Sequence, residues 1–253
     1  MGALLADHPE ASGFHDTGVP EDEGQHLQSV YPTASAMGGP GRFGFDRRAH
    51  LTEDSPLVSA RSRRTLEAEW GRHWDVSKPL LVEKSPPNLM RGRFLQALFP
   101  DSCFVMVMRH PIAVSCATEG WTAAARGPGA KLRRGPLAWT KTGDLLRHWL
   151  VAHRALAGDR PFIRDLTVVR YEDLVERPAR ELSRIHRLLG VNDSEASLPV
   201  RGGINDAYFD RWERRRRHPL TRPYIARLID RYEGAVNEFG YSLREPWTVP
   251  ANG

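Results

Sequence analysis

Two short apolar runs, each stopping at a basic residue and a nearby proline, set the strongest limit on the fold. Leu80 to Val82 runs into Glu83-Lys84-Ser85-Pro86, and Phe104 to Met108 runs into Arg109-His110-Pro111. Neither alternates apolar with polar residues, as a strand with one wet face does, so each is expected to be a strand covered on both sides. Between them Met90, Phe94 and Leu98 recur at helical spacing, with Leu95 and Phe99 on the adjoining stripe and Pro100 closing the pattern. That periodicity predicts an amphipathic helix, and strand, helix and strand together make one βαβ unit.

Ligands of open α/β sheets bind outside the carboxyl ends of the strands, which is where Lys84 and Arg109 stand. A lysine or arginine at a strand end also serves as an ordinary surface or salt-bridge residue. Two at neighbouring strand ends, with Pro111 suited to open a helix whose free amides add positive potential, point instead to an anionic ligand. The formal net charge of +5 agrees with that. The run Arg214 to Arg217 has no interleaved stacking aromatics and no nucleic-acid motif beside it, so it predicts a solvated or substrate-steering face, with no nucleic-acid partner.

The two cysteines, Cys103 and Cys116, have neither metal nor redox spacing and predict buried free thiols in a reducing compartment. No His-Glu-x-x-His or paired-cysteine pattern calls for a metal. No apolar segment approaches the roughly 20 residues of a membrane span, and no basic, apolar leader follows Met1, so a cytoplasmic location is expected.

Glu83-Lys84-Ser85-Pro86, Arg109-His110-Pro111-Ile112-Ala113-Val114 and Arg170-Tyr171-Glu172-Asp173-Leu174, in this order and spacing, resemble the sulfotransferases that use 3′-phosphoadenosine 5′-phosphosulfate (PAPS). The resemblance implies a single domain over residues 1–253. Its fold is a three-layer α/β arrangement with a parallel sheet flanked by helices, like that of P-loop nucleoside-triphosphate hydrolases. In relatives a strand and a loop of the type Arg-Ser-Gly-Thr-Thr-Leu come before the first helix, and the loop's amides hold the 5′-phosphosulfate. Here Met1 falls where that loop gives way to its helix, so the expectation is a fold truncated at its N-terminus, with a true start upstream and unpaired edges on two strands.

The resemblance also implies roles. Arg109 binds the 3′-phosphate. The serine that assists it in relatives falls at Ala117, leaving Ser115 and Thr118 as flanking hydroxyls. Tyr171 enters the adenine or phosphate site, and Arg201 and Arg211 belong to a loop, 200–212, that folds over the nucleotide. Lys84 stabilises charge on the bridging oxygen. The base falls shortly after the first helix, with Glu21 first, Glu23 next, and Asp16 and His26 behind. The activity implied is sulfuryl transfer from PAPS, without a metal, to a small-molecule, glycan or lipid acceptor. A phosphoryl-transfer enzyme of related topology and a non-catalytic remnant of the fold are the alternatives.

Elsewhere the sequence predicts helices over Gly2–Asp7, Glu53–Trp74, a segment from Leu145 to Leu156, one ending at Gly190, and one from Tyr224 to Gly240. A third strand is expected over Asp165–Tyr171. Gly38 to Gly41 reads as a loop, and 126–136 as a basic loop between helices.

Overall fold

The computed structural model describes residues 1–124, 141–194 and 198–248. Both apolar runs are strands with the expected bounds, β2 (Leu80–Val82) and β3 (Phe104–Met108), and the third is β4 (Leu166–Arg170). A further strand, β1 (Ala11–Gly13), pairs with β2 in parallel, Ala11 opposite Leu80 and Gly13 opposite Val82. Gly13 is needed there because a Cβ would come within 2.5 Å of that of Ala6. β3 and β4 form the other parallel pair, from Phe104 opposite Leu166 to Met108 opposite Arg170.

The helices are α1 (Gly2–Ala6), α2 (Ala60–Trp70), α3 (Gly92–Leu98), α4 (Pro111–Ala124), α5 (Thr142–Asp159), α6 (Tyr171–Glu176), α7 (Pro178–Leu189), α8 (Ile204–Arg217) and α9 (Arg222–Asn237). None is both long and apolar enough to cross a membrane. The described chain gathers into two compact units. One holds Met1–Gly39, Phe43–Met108 and His153–Val200, and the other Pro40–Arg42, Arg109–Ala152 and Arg201–Gly253.

In the first unit the parallel α/β layering is present. Leu5 of α1 and Leu182 and Ile185 of α7 cluster with Val169 and Leu174, and Val82 and Val105 pack against them. Leu66 and Trp70 of α2 and Phe94, Leu95 and Leu98 of α3 form a second cluster, against which Phe104 packs. β3 therefore has apolar cover on both faces.

The cover is incomplete, because among the described residues no strand joins β1–β2 to β3–β4. Every residue of β3 keeps partial exposure, and Leu81 of β2 is 42 % exposed. Phe104 N–H donates to Asp165 O (2.7 Å). Since alternate residues of a parallel strand address opposite neighbours, Val105 and Val107 turn their amides to the unpaired edge.

Several boundaries differ from expectation. α2 starts at Ala60, not Glu53, because turns occupy the preceding residues and Ser59 caps the helix by accepting from Ser62 N–H (3.0 Å). Residues 204–212, expected as loop, are helical: Gly203 at φ +72° leads into α8, whose Asn205, Phe209 and Trp212 are buried. α9 ends at Asn237, short of Gly240. Cys103 is exposed rather than buried, whereas Cys116 is buried and its thiol is pushed up to about 11 by desolvation. The basic loop 126–136 lies outside the described residues.

Gly41 sits at φ +73° in a packed turn, where a Cβ would meet Leu145 at 2.3 Å and Thr118 at 3.1 Å. The Gly38–Gly41 stretch is thus ordered by packing at Gly41. Arg214 and Arg217 are exposed at the end of α8, where cations suit the helix dipole. Arg215 instead turns inward to Glu119 (2.8 Å).

Candidate active site

In the first unit, chemistry collects where β2 ends. Lys84 Nζ donates to the Glu21 carbonyl (2.9 Å) and reaches Glu23 Oε1 at 3.4 Å. Glu21 meets Lys84 through its main chain: it sits at φ +55°, ψ +21°, exposed. Glu23 presents the carboxylate, and only 13 % of its side chain is accessible.

Buried Gln25 fixes that carboxylate. Its Oε1 accepts from Ala34 N–H (2.7 Å), so its Nε2 is the end that donates to Glu23 Oε2. Gln25 N–H donates to Ser85 Oγ (2.9 Å), which in turn donates to Glu83 Oε1 (2.5 Å), and Asn88 Nδ2 donates to the other Glu83 oxygen.

The Glu23–Gly24–Gln25 turn lies directly on Glu83, since a Cβ on Gly24 would fall 2.5 Å from Glu83 Cγ. Trp70 of α2 ties the turn down by donating Nε1–H to the Gly24 carbonyl (2.9 Å). Although Glu83 keeps part of its surface in solvent, its carboxyl is crowded enough for desolvation to push it up to about 7. The Ser85 hydrogen bond pulls it down, the Glu23 charge pushes it up, and Lys84 and Arg91 pull it down again.

The other candidates of this unit lie differently. Asp16 is fully exposed, 4.0 Å from His15. His26, partly buried, closes a short 3₁₀ turn. Tyr171, partly buried, opens α6 directly after β4.

In the second unit the Arg109 fork is held by Asn205 of α8, whose Oδ1 accepts from Nε (2.9 Å) and Nη2 (2.7 Å). The guanidinium groups of Arg109 and Arg211 lie 5.5 Å and 6.0 Å from the Tyr208 ring. The Arg109 carbonyl accepts from Trp149 Nε1–H (3.1 Å). Next to it His110 packs edge-on against Phe209 and Tyr241 with its ring nitrogen at Ser242 O (3.1 Å), and burial lowers the ring to about 3, so it is neutral.

On α4, Ser115 Oγ is buried with no hydrogen-bond partner among the described residues, while Thr118 Oγ1 donates to the Val114 carbonyl (2.8 Å). Arg201 is exposed just ahead of α8. Two guanidiniums beside one aromatic ring, those of Arg109 and Arg211, are donors suited to a phosphate.

Sequence reasoning missed Asn205, Tyr208, Gln25, Ser85 and Glu83. Only the last two carried a signal, since they flank Lys84 in the motif.

The sulfotransferase family model matches residues 1–195. Among solved structures, a sulfotransferase from Alicyclobacillus acidocaldarius is similar at 14 % identity, with 93 % of this chain and 89 % of that one covered and a TM-score of 0.42. No curated protein matches the chain. The family model spans well over half of the chain, strand-end lysine and arginine included, and on that match the protein belongs to the sulfotransferase family.

Proposed function

We propose that the protein moves a sulfuryl group from PAPS to the hydroxyl or amine of a small-molecule, glycan or lipid acceptor. The observation that carries this reading is the juxtaposition of Lys84 and Glu23 at the carboxyl end of β2. Lys84, 42 % accessible, keeps solvent on its side of the pair, so its ammonium is free to turn toward a bound anion while Gln25 holds the Glu23 carboxylate in place.

PAPS supplies a sulfuryl group activated by its anhydride link to phosphate. Glu23 takes the proton of the acceptor as its oxygen or nitrogen attacks sulfur in line. Lys84 neutralises the charge that gathers on the bridging oxygen as the sulfur–oxygen bond breaks, the electrostatic role a lysine plays in phosphoryl transfer. Arg109, Arg211 and the Ser115 hydroxyl hold the 3′-phosphate. Thr118, whose hydroxyl serves its own helix, is the weaker candidate. Glu23 displaces Glu21 as first choice for the base because Glu21 turns its carbonyl, not its carboxylate, to Lys84.

Transfer of ³⁵S from labelled PAPS to a panel of acceptors, with calorimetry of adenosine 3′,5′-bisphosphate binding, tests the reading. Lys84→Ala and Glu23→Gln should each lower kcat by ~10²-fold or more with binding retained. Arg109→Ala should weaken binding at least tenfold, the loss of a charge-assisted hydrogen bond. Binding of ATP in preference to the bisphosphate, or full activity in Glu23→Gln, overturns it.

A further inference from the structure

Beneath the Lys84–Glu23 pair lies a second carboxyl that the proposed reaction does not use. Glu83 touches the base's own turn twice. Ser85 bridges it to the Gln25 amide, and the Cα of Gly24 stands so close that no side chain fits between. Gln25 then closes the circuit by donating to Glu23.

We propose that Glu83 is the positioning residue for Glu23, holding the Glu23–Gly24–Gln25 turn against the end of β2 through Ser85 and setting, by its own protonation, how strongly Glu23 accepts a proton. This rests on Glu23 being the base. The charged and titratable groups that act on Glu83 are Glu23 from the turn, Lys84 from the strand end, and Arg91 and Tyr31 behind it. Arg91 is fully buried, donates Nη2–H to the Pro32 carbonyl (2.8 Å) and holds its guanidinium carbon over the Tyr31 ring, 4.7 Å from the centroid.

While Glu83 holds a proton, no second negative charge stands beside the Glu23–Lys84 pair. As Glu83 ionises, the second negative charge makes Glu23 more basic, since like charges disfavour each other's ionised form. Desolvation of the Glu83 carboxyl moves that step to near neutrality. Proton transfer to Glu23 should therefore strengthen across neutral pH, through a residue that never meets the acceptor.

The test separates this from the reaction itself. Carbon-13 NMR of glutamate-labelled protein follows the Glu83 carboxyl directly, its signal assigned by loss in Glu83→Gln. In the wild type it should titrate near neutrality, and in Glu23→Gln its midpoint should move to lower pH. A midpoint in the ordinary glutamate range, or one unmoved in Glu23→Gln, overturns the proposal whether or not the protein transfers sulfuryl groups. Where transfer is measurable, kcat/KM should rise through neutral pH, and Glu83→Gln should lose that inflection. The Gln25 and Ser85 contacts are checked in the same variant by the chemical shift of the Gln25 amide. A profile identical to wild type with the turn intact overturns the kinetic part, whereas inactivity of every form, with the NMR coupling present, counts against the sulfuryl-transfer reading alone.

Discussion

Replacing Glu83 by glutamine should change how stability depends on pH more than it changes stability at any one pH. The carboxyl is displaced from 4.5 to about 7, chiefly by desolvation. A tenfold change in proton affinity is worth ~1.4 kcal/mol, so the displacement corresponds to ~3 kcal/mol. Partial exposure of the residue argues for the lower side of that figure, ~2–3 kcal/mol. The sign follows from linkage. An acid whose folded pKa lies above its unfolded one contributes stability that is complete below the unfolded value and is lost as pH rises through the folded value.

Glutamine keeps the Ser85 contact and does not titrate. Asn88 Oδ1, buried with no partner among the described residues, is placed to accept from its new amide if the Asn88 side chain turns over. The stability of wild type relative to Glu83→Gln should therefore fall by ~2–3 kcal/mol between pH 4.5 and pH 8, most of it before pH 7.5. Urea unfolding followed by tryptophan fluorescence reads this through Trp70 and Trp74, which pack edge-on in this unit. Two curves that stay parallel across the range would refute the reasoning and mean that buried Arg91 keeps the carboxylate ionised throughout.

Gly41→Ala should destabilise the second unit by ~2 kcal/mol or more, from left-handed strain and the clash with Leu145 together, seen as a lower Tm. Glu119→Ala should cost about 3 kcal/mol by leaving Arg215, 18 % accessible, without its carboxylate partner, and it also removes an acceptor from Thr142. Calorimetric unfolding checks it, and Glu119→Gln should recover part of the loss. In hydrogen exchange the Phe104, Met106 and Met108 amides, which face β4, should be protected well beyond those of Val105 and Val107. Equal protection of all five would show that the outer edge of β3 has a partner.

The strands were legible where composition alone determines them. β2 and β3 are uninterrupted apolar runs that stop at a charged residue, and β4 is a largely apolar, β-branched run closed by Arg170. β1 was not, because Ala-Ser-Gly has no strand propensity. It is a strand because β2 offers it an edge and because Gly13 leaves room for α1. α8 was hidden for a related reason. Gly202-Gly203 and Asn205-Asp206 signal a loop, and the helix's buried stripe begins with a polar residue, Asn205, whose partner Arg109 is 96 positions away.

The carboxylates that follow the first helix show what chain distance cannot see. Asp16 and Glu21 lie at the expected interval after the first helix and Glu23 two residues on, but which carboxylate meets Lys84 depends on two left-handed residues, Glu21 (φ +55°) and Asp22 (φ +46°). The left-handed φ of Glu21 directs its carbonyl to Lys84, and the chain then returns to extended geometry so that Glu23 faces inward. No residue type at 21 or 23 announces that turn. What fixes it is Ser85, 60 positions from Gln25, and Trp70, 46 from Gly24. The motif around Lys84 therefore acts at two levels. Its lysine meets the carboxylate, while the glutamate and serine on either side of that lysine hold in place the loop that brings the carboxylate there. A substitution of Glu83 or Ser85 should accordingly resemble loss of Glu23 more than loss of Lys84, with donor binding kept and proton transfer impaired.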